Sequence, residues 1–228
     1  MILKRLFGKV FKKESLSPKH VFALFSFIFC FWSLYRYFPE VLPVWFQELI
    51  LKPILWLVPL FWIVKSVEGK DLSSLGITKK NLFKAIYWGI GLGFVFAFEG
   101  LLTNIIKYKG FHVSGGDIGL LFFLGSILLS FVTAISEETV FRGYIFNRLW
   151  KIWDNELWAN LVSSFLFTLI HLPIGIFVLG YKPLVMLAYL LFVFIFGFGS
   201  SFVFARSRNL ASSILLHVFW AWPIMLFK

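Results

Sequence analysis

Apolar residues come in seven long blocks, running approximately over Val21–Phe38, Trp45–Val64, Leu82–Ile106, Ile118–Trp150, Trp158–Gly180, Pro183–Ala205 and Leu210–Phe227. A helix needs about 20 mostly apolar residues to cross the hydrocarbon core, and most of these blocks reach that length. Backbone N–H and C=O groups must be paired inside the core, so only helices or closed barrels span it. The blocks are too continuous for the alternating strands of a barrel. The pattern therefore predicts an all-α, polytopic transmembrane bundle of about seven helices in the cell membrane. The second block is the weakest, because Gln47, Glu48, Lys52, Pro53 and Pro59 interrupt it, and a partly interfacial helix is expected there.

Composition agrees. The chain is 60% hydrophobic and 14% charged, with a mean hydropathy of +0.86, whereas a soluble domain is about one quarter charged. The net charge of +11 does not point to nucleic acid, because the basic residues flank apolar blocks instead of forming one polar stripe; anionic lipid explains them better. Residues 1–20 read as a basic cytosolic tail with Lys4, Arg5, Lys9, Lys12, Lys13 and Lys19, and residues 21–228 as a single transmembrane domain. The first block lacks a small-residue cleavage site, so an uncleaved first helix is expected. With the N-terminus in the cytosol, the tail, Lys65–Lys84, Arg142–Lys151 and Arg206 with Arg208 lie inside. Arg36, Lys52, Lys107, Lys109, Lys182 and Lys228 lie outside, a smaller set that satisfies the positive-inside rule. Cys30 is the one cysteine and sits in an apolar block, as a small lipid-facing side chain.

Ionisable residues inside membrane helices are costly and mark sites. Ser136-Glu137-Glu138-Thr139-Val140-Phe141-Arg142 places three of them between apolar stretches. Glu138 and Arg142 are four residues apart and share a helix face, so they can pair. Glu137 is turned about 100° away and has no intrahelical partner; the sequence reads it as a carboxylate free of a fixed cation, able to take a proton from water. His171 and His217 also lie in apolar blocks, whereas His20 and His112 fall in polar flanks where a solvated side chain is expected. With a cytosolic loop near Lys151–Leu157, Glu137 and His171 are 14 and 13 residues from that end, or roughly 20 Å at the helical rise. This matching depth requires the fourth helix to continue past Glu138 to about Trp150.

These residues resemble the CPBP family, which includes the type II CAAX prenyl endopeptidases and the bacterial Abi, or bacteriocin-processing and immunity, proteins. The resemblance rests on Glu137-Glu138-x-x-x-Arg142-Gly143, on Phe167-x-x-x-His171 and on Ser213-Ile214-Leu215-Leu216-His217, and covers a protease-like core of about residues 75–221. It implies an intramembrane endopeptidase acting on a peptide or membrane-protein substrate in a cavity open to the cytosol. Glu137 and His171 would activate a water, His217 would stabilise the oxyanion, and Glu138 and Arg142 would support them. Family members have been described both as metalloproteases and as metal-free glutamate proteases. No HExxH is present, so the reading is metal-free; a divalent metal such as zinc would fall to Glu137, His171 and His217. The third motif normally ends in Asn or another polar residue, but reads His217-Val218-Phe219-Trp220-Ala221. A slow protease is one reading, a substitute donor such as Tyr144 or Asn160 a second, and lost catalysis a third.

Two other functional classes fit the same polar residues. One is a non-catalytic membrane partner such as a bacteriocin self-immunity protein, and the other is a transporter or proton relay. Glu99 either faces the cavity or lies near the outer interface, with Asn104 close by. Gly89-x-Gly91-x-Gly93-x-x-x-Ala97 and Gly197-x-Gly199 offer close helix approach.

Overall fold

A computed structural model describes residues 16–38, 42–110 and 120–226. The expected His112 and most of the basic tail lie outside these residues. The described chain is helical, with seven helices joined by short connections. They are α1 (Pro18–Tyr37), α2 (Val44–Val67), α3 (Leu82–Tyr108), α4 (Leu120–Glu138 continued by Thr139–Phe146 and Asn147–Trp153), α5 (Glu156–Leu169, extended after a turn by Ile174–Val178), α6 (Pro183–Ser207) and α7 (Ala211–Leu226). The first six are long and apolar enough to cross a membrane. The protein is a polytopic membrane bundle, with its lipid-facing surface carrying exposed side chains such as Phe83, Leu184 and Leu187. Cys30 is exposed among them, and His20 is half-buried rather than solvated.

Local chemistry sets the helix ends. Pro18 opens α1 behind the Ser17 hydroxyl, which accepts from the Lys19 amide at 3.3 Å. Asn155 caps α5 by accepting from the Trp158 amide at 3.0 Å. Gly76 adopts φ +85° in the connection between α2 and α3, and its carbonyl accepts from the Leu210 amide at 2.9 Å, tying that connection to the start of α7.

One expectation changes and another is met with a twist. The helix α2 is continuous for 24 residues and is long and apolar enough to cross a membrane despite its polar residues. Its polar residues line the bundle instead of breaking the helix: Gln47 and Lys52 are both buried. The fourth helix does continue past Glu138, but as a π-helical stretch over Thr139–Phe146, every residue of which is buried. Short π segments also precede Lys52, at Gln47–Leu51, and follow His171, at Ile174–Val178. Such widened turns recur at functional sites because they re-aim side chains without ending the helix.

The glycine pattern divides in two. A Cβ on Gly89 would stand 2.6 Å from the Ser212 carbonyl oxygen, and one on Gly93 would stand 2.9 Å from Phe219 Cβ, so these two let α7 lie close against α3. Nothing lies within 4 Å of the same position on Gly91.

The connection after α2 is clamped to α4 by a buried network. Glu68 pairs with Arg148 at 2.8 Å and accepts from the Tyr144 hydroxyl at 3.0 Å. Arg148 also donates to the Ser74 carbonyl at 3.1 Å and to its hydroxyl at 2.9 Å. Asn147 donates to the same carbonyl at 2.8 Å.

Candidate active site

Helices α2, α4, α6 and α7 converge on two adjacent carboxylates that do different work. Glu138 is fully buried and both of its oxygens are engaged. Oε1 accepts from Arg142 Nη1 at 3.1 Å and from His217 Nδ1 at 2.7 Å, while Oε2 accepts from the Ser200 hydroxyl at 2.6 Å. The expected pairing with Arg142 is thus present, and two further partners come from α6 and α7. Arg142 also donates to the Gly197 carbonyl at 3.1 Å and lies 4.2 Å over the Phe167 ring. A Cβ on Gly197 would come within 3.3 Å of that guanidinium, so this glycine makes the approach possible.

Glu137 faces elsewhere, and here the structure corrects the sequence reading. The carboxylate is not free of a fixed cation: its Oε1 lies 2.8 Å from Nζ of Lys52 on α2. Lys52 was expected in the outer flank but is buried, and also pairs with Glu48 Oε2 at 2.5 Å. Glu48 accepts in turn from the Thr133 hydroxyl at 2.9 Å and from Arg36 at 3.4 Å. Arg36 donates at 2.7 Å to Gln47. The second oxygen of Glu137, Oε2, is 4.0 Å from His217 Nε2. That is too long for a hydrogen bond and is the kind of gap that a single water bridges.

The histidines are held by their Nδ1 atoms. His217 gives Nδ1–H to Glu138, which leaves Nε2 turned toward Glu137. His171 gives Nδ1–H to the Phe167 carbonyl at 2.7 Å, one turn back, so its Nε2 keeps a lone pair. Phe167 links the two: its ring centroid lies 4.6 Å from His171 and 6.5 Å from His217. Direct polar contacts therefore join Glu138, Arg142 and His217, whereas His171 joins the group through this shared aromatic wall.

Neither proposed substitute for the missing polar side chain at Ala221 reaches His217. The Tyr144 hydroxyl is spent on Glu68, and the Asn160 amide donates to the Phe198 carbonyl at 3.1 Å. The cation that contacts Glu137 is Lys52. Its signal was in the sequence: Glu48 and Lys52 stand four apart inside an apolar block, which puts both on one helix face.

Among the described residues no cluster of three or more His, Cys, Asp or Glu is arranged to hold a metal ion. Glu137 Oε1 is engaged by an ammonium, while the two histidines are hydrogen-bonded through Nδ1 and keep Nε2 as the atom a metal would take. A metal at Glu137 would stand beside the Lys52 positive charge.

Beside the site lies a cavity of about 270 Å³, lined by Glu99, Thr103, Asn104, Tyr181, Tyr189 and Trp220 among others. Glu99 thus faces a cavity, where it accepts from the Thr103 hydroxyl at 2.9 Å. Tyr189 is 6.2 Å from the His171 ring and Trp220 is 6.1 Å from that of His217, so both residues stand between this cavity and the histidines.

Residues 119–223, which include Glu137, His171 and His217, match the Type II CAAX prenyl endopeptidase Rce1-like family. The UPF0177 protein YxdF of Lactococcus lactis subsp. lactis (strain IL1403) is 28% identical over 156 residues, covering 63% of this chain and 79% of its own. No solved structure matches. The motif-based resemblance is borne out, over a segment that begins at α4 and leaves α3 outside.

Proposed function

From a membrane bundle whose residues 119–223 are Rce1-like, we propose that the protein is an intramembrane endopeptidase in which Glu137 and His171 activate a water and His217 stabilises the oxyanion. The observation that carries this reading is the division of labour between the two acids. Glu138 has both oxygens engaged and orients His217, while Glu137 keeps one oxygen turned toward a gap of 4.0 Å before His217 Nε2. A water in that gap gives its proton to the Glu137 carboxylate or to the lone pair of His171 Nε2. Its oxygen then bonds to the scissile carbonyl carbon. His217, oriented by its Nδ1 contact to Glu138, donates Nε2–H as an imidazolium to the resulting oxyanion.

The orientation read from the basic residues puts the cytosol on the side of the Lys65–Lys84 connection. Entry from the cytosol would then pass the Glu68–Arg148 clamp, and the Glu99 cavity offers the opposite approach, past Tyr189 and Trp220.

The test compares new peptide N-termini in membranes from cells carrying the wild type or Glu137→Gln at matched expression. Defined termini that vanish with the variant support the protease and identify its substrate. If wild-type membranes yield the same termini as the variant while a phenotype such as immunity persists in both, the protein acts as a non-catalytic membrane partner.

A further inference from the structure

Lys52 is the charged group of the site that this mechanism leaves unused. Its ammonium bridges two carboxylates, Glu137 at 2.8 Å and Glu48 at 2.5 Å, with the rings of Trp32 and Trp56 at 5.3 and 5.6 Å. A buried ion pair is costly to assemble and weak as a device for stability alone. The arrangement here is also asymmetric. Glu48 has its own donors in Thr133 and Arg36, so Lys52 keeps a second, independently held carboxylate partner whatever happens to Glu137.

Two consequences follow for the reaction. First, Lys52 occupies Oε1 of Glu137, so only Oε2 is presented to the gap before His217. Second, the charge balance shifts during attack. Glu137 takes a proton from the water and becomes neutral, the water oxygen bonds to the carbonyl carbon, and the carbonyl π pair moves onto the substrate oxygen. The negative charge thus leaves the carboxylate for a neighbouring atom while the ammonium beside them keeps its own charge.

We propose that Lys52 is a positioning residue of this active site, fixing the catalytic carboxylate ionised with one oxygen toward the water and balancing the charge that passes to the oxyanion, in a site where Ala221 offers no side-chain donor. The proposal rests on the protease reading for its kinetic part, and on the ion pair alone for its electrostatic part.

The experiment has two arms on the purified full chain in detergent. The first is infrared difference spectroscopy at neutral pH. Lys52→Met is expected to produce a protonated carboxyl band that is absent from the wild type, lost again in Lys52→Met/Glu137→Gln, and absent from Lys52→Arg. A Lys52→Met spectrum without that band overturns the proposal. The second arm follows cleavage of the substrate identified from the N-termini. Lys52→Met is expected to lower kcat by about 10²-fold with KM little changed, and Lys52→Arg to recover part of the loss. A folded Arg variant no faster than the Met variant, or a Met variant with wild-type kcat, also overturns it. If the wild type cleaves nothing, the protease reading fails, and the infrared arm still decides whether Lys52 sets the charge state of Glu137.

Discussion

Glu138 on α4 accepts a 2.7 Å hydrogen bond from Nδ1 of His217, which lies 79 residues later on α7. This contact fixes which nitrogen of the imidazole faces Glu137, and so which one would carry the N–H of an oxyanion donor. Glu138→Gln keeps the shape of the group but can present an N–H where a carboxylate oxygen was. The expected outcome is a fall in kcat of about 10²-fold or more, with the variant folded, measured on the substrate identified from new N-termini. A rate near that of the wild type would mean that His217 does not act through its Nε2–H.

Breaking the clamp between the α2–α3 connection and α4 should cost stability first. Arg148 and Glu68 are both buried and meet at 2.8 Å. Arg148→Met leaves the Glu68 carboxylate without its cation, an effect worth about 3–5 kcal/mol. Glu68→Leu/Arg148→Met removes both charges and should unfold later than the single variant on heating in detergent. A double variant less stable than the single one would show that the pair matters mainly through its contacts to Ser74 and Tyr144.

What the sequence reveals divides along the range of the signal. The seven helices are legible because run length is a local property, and so is the Glu138–Arg142 pair, one helical turn apart. Lys52 and Glu137 are 85 residues apart, and Glu68 and Arg148 are 80 apart; no local pattern joins them. The charge-flank rule assigns Arg36 and Lys52 to the outer flank but does not see helix faces, so their burial inside the bundle is invisible to it. The polar residues that made α2 look weak are the ones that carry the cation to the site. Ser200, which completes Glu138, sits in an apolar helix among small residues and gave no signal beyond Gly197-x-Gly199 beside it.

The glycines of α3 give a paired test of packing. Gly89→Ala would press a methyl group against the Ser212 backbone oxygen, 2.6 Å away, where nothing flexible can yield. The expected cost is about 1–3 kcal/mol, as for other overpacked contacts. Gly91→Ala meets nothing within 4 Å and should gain up to about 1 kcal/mol from helix propensity. Thermal unfolding of the two variants in the same detergent should therefore move in opposite directions. Movement in the same direction would mean that α3 and α7 do not approach as closely in the membrane protein as these contacts require.

Restoring an amide at position 221 probes how the site manages without one. Asn at this place is one turn beyond His217, where the related third motif carries its polar residue. An amide there and the Lys52 ammonium would act on the same developing negative charge, so their effects should not add. Ala221→Asn is expected to raise kcat by about tenfold or more in the Lys52→Met background, and by clearly less in the wild type. Equal gains in both backgrounds would show that the two groups serve different steps, and would leave Lys52 only its hold on Oε1 of Glu137. The comparison uses one substrate and reports a ratio of ratios, so differences in expression cancel. A larger gain in the Met background would tie the absence of a side-chain donor on α7 to the presence of a cation on α2.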